Sequence, residues 1–149
     1  MIFCGLTKGL IAVNDNPKVF SINSGADELG VGTNMAKAIR YWLKESGLIF
    51  EKPKTGAELS ILGQIIYEND RYFEDDFSLW LVHVNLAMNC DNATSWYLFF
   101  NEIESEEFSK DELEKELKKS IMQYADMDSV PERSVSDDCN AIINMYYRE

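Results

Sequence analysis

The side chains in this 149-residue sequence whose types and spacing best suit chemistry are cations. Lys37, Arg40 and Lys44 recur at intervals of three and four residues, so a helix carries them on one face. Lys52 and Lys54 flank a proline shortly downstream. Cations so arranged do not break bonds; they neutralise phosphates and fix a protein's register on a polyanion. Thr33 and Asn34 open the same helix and carry short polar groups that reach base edges when a helix N-terminus enters a major groove. The expected contacts to duplex DNA are therefore Thr33, Asn34, Lys37, Arg40, Lys44, Lys52 and Lys54. The competing reading makes the same cations solubilising charges on a module that meets proteins.

Other constellations are less specific. Asp70, Glu74, Asp75 and Asp76, with His83 two turns on, bring together carboxylates and an imidazole, as hard and transition metals require. Their spacing matches no metal-binding loop, so Asp75 or Asp76 is expected to cap the next helix and His83 to sit hydrogen-bonded in the core. No metal or other cofactor is expected. Trp80, Trp96, Tyr97, Phe99 and Phe100 would make a base-stacking platform. Their helical spacing in an acidic region assigns them to the core instead, with Asn101 a structural amide at a helix end. A single histidine and no GxSxG leave no basis for an activated nucleophile. Gly30-Val31-Gly32 lacks the third glycine of a dinucleotide loop and the lysine of a P-loop, and reads as a turn. The chain is not expected to be an enzyme.

Composition bounds the scaffold. Hydrophobic residues make up 46% and aromatics 12%, enough for a packed core. Cys4, Cys90 and Cys139 are odd in number and widely spaced, which fits free thiols in a reducing cytoplasm. No apolar run reaches the roughly 18 residues of a membrane span, and the apolar start has no basic segment ahead of it. The net charge of −12 is unevenly spread: residues 1–59 hold seven Lys/Arg and six Asp/Glu, whereas residues 60–149 hold seven and twenty. A polyanion has only the first part to approach.

The periodicity predicts a first helix broken by Gly5 and Gly9, a turn at Asn14–Pro17, and a short strand over Lys18–Ile22. Ser24 caps a brief helix through Leu29, and Thr33 caps a longer one that ends at Gly47. Met35, Ala38, Ile39, Trp42 and Leu43 form that helix's apolar face. Leu48–Glu51 and Ala57–Leu59 read as strands around the basic turn Lys52–Gly56. Ser60 then caps a helix with Ile61, Leu62, Ile65 and Ile66 at core spacing. Phe77–Cys90 is apolar all round and reads as buried; Thr94–Ile103 follows. Ser109-Lys-Asp-Glu112 is a capping box opening a helix with Leu113, Leu117, Ile121 and Tyr124 in register. A last helix is capped near Ser134 and continues to Glu149.

Four strings together resemble a known family: LGVGTNMAKAIRYWLKESGLI (29–49), EDDFSLWLVH (74–83), ATSWYLFFN (93–101) and FSKDEL (108–113). They are similar, in order and spacing, to domain-of-unknown-function family 4007, and the resemblance runs from about Leu6 to Tyr147. It implies a bacterial protein encoded beside sulfurtransferase or phosphoadenosine-phosphosulfate-reductase-like genes, in DNA phosphorothioation and related anti-phage islands. It implies no catalytic residues. Family members usually extend further at both ends, so a short member or a fragment is expected.

The expected fold is mostly α with a small β-wing: a winged helix-turn-helix over residues 1–69, followed by an acidic helical bundle over residues 70–149. The expected function is a non-enzymatic, cytoplasmic DNA-binding accessory of a DNA-modification or phage-defence system. The alternative is an adaptor that docks a sulfurtransferase-like or reductase-like enzyme without touching DNA. No membrane partner is expected, and ragged apolar helix ends point to a homodimer.

Overall fold

A computed structural model describes residues 2–146. The described residues are mostly helical, with one two-stranded antiparallel sheet. They form two compact units, divided between Asn85 and Leu86. No helix among them is long and apolar enough to cross a membrane.

The first unit begins with α1 (Ile2–Asp15), which buries Leu6, Leu10 and Val13. The predicted break at Gly5 and Gly9 does not occur. Both glycines face α3 (Thr33–Glu45), where a Cβ on Gly9 would stand 2.4 Å from Leu43 Cδ1 and one on Gly5 would stand 2.9 Å from Ile39 Cγ1. The missing side chains bring the two backbones together, so the helix gains in packing what glycine costs in propensity. The predicted strand over Lys18–Ile22 is instead a 3-10 turn at Val19–Ser21. The Asn16 side chain accepts from the Lys18 N–H at 3.0 Å and its carbonyl from Val19 at 3.0 Å. These local bonds coil the segment before it can pair as a strand.

The short helix α2 (Ala26–Leu29) is entered through Gly25, not capped by Ser24, whose own backbone is left-handed at φ 56°. Gly32 takes the N-cap position of α3 and Thr33 is the first helical residue. Ala36, Ile39, Trp42 and Leu43 are buried, but Met35 is exposed. Side chains on a helix lean over the preceding turn, so Met35, in the first turn, projects past the contact. After α3 come β1 (Ile49–Lys52) and β2 (Gly56–Leu59), paired from Ile49↔Leu59 to Lys52↔Gly56. The turn lies at the predicted basic segment.

Helix α4 (Ile61–Asp70) is capped by Ser60, whose Oγ accepts from the Gly63 N–H at 3.0 Å and donates to the Gly47 carbonyl at 2.6 Å. Its inward line is Gly63 and Ile66, and Ile61 and Ile65 are exposed, contrary to their expected core role. The backbone of Leu48 lies so close to Gly63 that α4 is fixed with those two isoleucines outward. Helix α5 (Asp76–Met88) also departs from expectation. Ser78, Val82 and Leu86 are buried along one side, while Phe77, Trp80, Val84 and Met88 are exposed. A helix apolar all round contains no signal for which side is covered, and here one side is not.

The second unit is built on α6 (Thr94–Asn101), α7 (Lys110–Ala125) and α8 (Glu132–Tyr146). Trp96, Leu98, Leu113, Leu117, Val135, Cys139 and Ile142 fill its core. The capping box forms: Ser109 Oγ accepts from the Glu112 N–H, and the Glu112 carboxylate accepts from the Ser109 N–H at 2.7 Å. Leu113 and Leu117 are buried as expected, but Tyr124 is exposed and meets Tyr97 at 5.9 Å between ring centroids. Helix α8 starts two residues before Ser134, because the Pro131 carbonyl already accepts from the Ser134 and Val135 N–H groups. Its predicted continuation to Glu149, and the Tyr147 end of the family resemblance, lie outside the described residues.

Ser95 Oγ donates to Asp138 Oδ2 at 2.6 Å, tying α6 to α8. Burial pushes the Asp138 carboxyl above its usual range, and the Ser95 bond only partly opposes this. An acid whose folded pKa is raised loses stability as pH climbs from its unfolded to its folded pKa, and the cost is complete above both. Asp138→Asn keeps an acceptor for Ser95 and removes the charge. The expected result is a higher Tm at pH 7, with the gain fading as pH falls below the ordinary carboxylate range. A lower Tm at pH 7 would show that the charge-assisted bond outweighs the burial cost.

Candidate nucleic-acid interface

The predicted contact residues all lie on α3 and the β1–β2 hairpin, within the first unit. Local bonds fix how one leads into the other. At the end of α3 the Gly47 N–H donates to the Lys44 carbonyl and the Leu48 N–H to the Leu43 carbonyl, both at 3.0 Å. This paired closure turns the chain directly into β1. The last turns of α3 therefore stand beside the first strand.

That placement decides what the cations do. Arg40 forks onto Glu51 of β1, with Nε to Oε1 at 2.5 Å and Nη2 to Oε2 at 3.0 Å. Lys44 Nζ reaches the same carboxylate at 3.2 Å. The Phe20 ring lies beneath the Arg40 guanidinium, 5.7 Å from its centroid. Lys52 pairs with Glu58 across the hairpin at 2.9 Å and rests over the Phe50 ring. Lys37 and Lys54 are exposed and form no ion pair among the described residues. Thr33 and Asn34 are exposed at the start of α3, where the Thr33 hydroxyl donates to Asn23 Oδ1 at 3.3 Å.

Sequence reasoning counted the cations and missed their partners. Glu51 is eleven residues from Arg40, and only the tight exit from α3 makes them neighbours. Their bond holds the Glu51 carboxyl below the usual carboxylate range, with Lys44 adding to it against the opposing effect of burial. The guanidinium is raised in turn, chiefly by the same bond. An open cleft of about 400 Å3 lies beside the cluster, bounded by Pro17, Phe20, Arg40, Glu51, Lys52 and Gly56.

Several of the remaining candidates have structural roles. Asp70 accepts from the Glu74 and Asp75 N–H groups at 2.9 and 3.1 Å, and Asp75 accepts from the Phe77 N–H at 2.8 Å as the cap of α5. His83 stands edge-on to Trp80 at 5.3 Å, and burial lowers its pKa. Trp96 is 1% exposed and Phe99 is buried, as expected for core. Trp80 is not core; it is 62% exposed. Asn101 Nδ2 donates to the Ala87 and Tyr97 carbonyls, both at 2.9 Å, the structural amide anticipated. Burial pushes the Cys139 thiol up to about 12, so it is uncharged at neutral pH and a poor nucleophile. Among the described residues no group of three or more His, Cys, Asp or Glu side chains is placed to hold a metal ion.

The family described as "Protein of unknown function (DUF4007)" matches residues 3–149. Two solved structures are similar over 97% of the chain at 26% identity: SspB, with a TM-score of 0.80, and magnesium ion-bound SspB, with a TM-score of 0.79. The chain covers 46% of each SspB chain, so it spans about half their length. No curated protein matches it.

Proposed function

The chain belongs to the DUF4007 family, and from that premise we propose that it is a DNA-contacting accessory unit of a DNA-modification system. The observation that carries the reading is the basic face of α3 together with the hairpin turn. Lys37 and Lys54 are exposed and without an ion pair among the described residues, and Arg40 and Lys44 are about two-fifths exposed beside them. The order of α2, a glycine turn, α3, hairpin and α4 is compatible with a winged helix-turn-helix. In that arrangement α3 enters the major groove, Thr33 and Asn34 face base edges, and the hairpin lysines meet the backbone. The likeness to SspB supports assigning the chain to that functional setting, which the family resemblance associates with phosphorothioation genes.

Duplex titration at low and moderate salt tests it. Wild-type affinity is expected to fall steeply with salt. Lys37/Arg40/Lys44→Ala is expected to make the plot of log K against log salt shallower, by about 0.9 for each phosphate that is no longer neutralised. Binding that ignores salt, or survives the triple substitution unchanged, overturns the reading.

A second reading, an adaptor that docks a partner enzyme without touching DNA, is favoured by the exposed apolar line Phe77, Trp80 and Val84 on α5. Co-purification with proteins encoded beside it separates the two. A stable complex combined with no DNA shift favours the adaptor.

A further inference from the structure

We propose that Glu51 occupies, in the free protein, the phosphate position of the basic face, and that a DNA phosphate displaces it on binding. The inference rests on the DNA reading above and adds how that site is regulated. One carboxylate faces two cations: its oxygens take both prongs of the Arg40 fork and the Lys44 ammonium. A phosphodiester presents the same pair of anionic oxygens to a guanidinium. The carboxylate is also less open to solvent than the groups it neutralises. Side-chain exposure is 22% for Glu51, against 42% for Arg40 and 41% for Lys44, so an incoming anion meets more of the cations than of the carboxylate.

Exchange carries a cost on one side and is prepared on the other. The Glu51 pair is bidentate and shared by two cations, so its release has a cost, and that cost sets the gain expected when the carboxylate charge is removed. The Phe20 ring under the guanidinium holds Arg40 in place when the carboxylate leaves, so the arginine remains aimed for its new partner. The free protein thereby neutralises, with this one carboxylate, two of its five candidate cations. Weak or isolated anions must compete with Glu51, whereas a duplex already engaged by Lys37 and Lys54 delivers a phosphate at high local concentration.

The test compares wild type, Glu51→Gln and Glu51→Asp, each in the native and the Arg40/Lys44→Ala background, by titration with a labelled duplex of mixed sequence. Circular dichroism melts establish that each is folded. Glu51→Gln is expected to bind roughly tenfold tighter than wild type, and to lose that gain when Arg40 and Lys44 are absent. Glu51→Asp, with a shorter reach, is expected to fall between the two, and it keeps the test decisive if the glutamine variant does not fold. A gain that persists without Arg40 and Lys44 reflects general charge relief and overturns the proposal. Wild-type binding with no gain in Glu51→Gln overturns it too, while leaving the DNA reading standing. No binding by any variant at low salt overturns both.

Discussion

Gly63→Ala is expected to destabilise the first unit severely, by more than the roughly 1–3 kcal/mol typical of overpacking. In an ordinary exposed helix the same change gains about 1 kcal/mol from propensity, so the expected sign is reversed. A Cβ on Gly63 would stand 2.0 Å from the Leu48 carbonyl oxygen and 3.0 Å from its carbon. The obstacle is backbone, which cannot rotate aside as a side-chain tip can. The same Leu48 carbonyl accepts from the Ser60 N–H at 2.9 Å, and Ser60 Oγ caps Gly63 at 3.0 Å. Moving α4 away to make room breaks one of the two: the bond to Leu48 if Ser60 moves with the helix, the cap if it stays. Urea unfolding followed by circular dichroism provides the check, and a midpoint at or above wild type would refute the close approach.

Trp96→Ala is expected to cost about 3–5 kcal/mol in the second unit, and Trp80→Ala at most about 0.5 kcal/mol. Both tryptophans sit on helices among apolar neighbours, and the sequence treats them alike. Trp96 is 1% exposed among the side chains of its unit, so truncation opens a cavity the size of an indole. Trp80 is 62% exposed and leaves its volume to solvent. Chemical unfolding midpoints of the two variants separate the cases. Equal losses would mean that Trp80 is covered.

The features read correctly from sequence are those set within one or two helical turns. Ser60 and the Ser109–Glu112 box satisfy orphan N–H groups of their own helices, so the cap and the helix appear together in the chain. The hairpin turn needs only Pro53 and Gly56 between two short apolar runs. Gly47 ends α3 because its N–H and that of Leu48 close onto carbonyls three and five residues back. The misreadings involve distant partners or competing local bonds. Gly5 and Gly9 look like helix breakers until α3 packs on them. Lys18–Ile22 looks extended until the bonds from Asn16 coil it. Phe77, Trp80, Ile61 and Ile65 carry apolar side chains with nothing local to say that they face outward.

The candidate interface divides in the same way. The sequence by itself determined the cations of α3 and the hairpin turn, their helical spacing, and the near-neutral charge of the first 59 residues against the acidic remainder. Spacing along one helix fixes a shared face, and composition fixes charge. Tertiary structure alone decided that Arg40 and Lys44 share one carboxylate, that Lys52 is paired across the hairpin, and that Lys37 and Lys54 make no ion pair among the described residues. The physical reason is range. Periodicity encodes neighbours about one turn apart, whereas an ion pair depends on where a later strand comes to lie, and that position is set by packing at Gly47, Leu48 and Gly63.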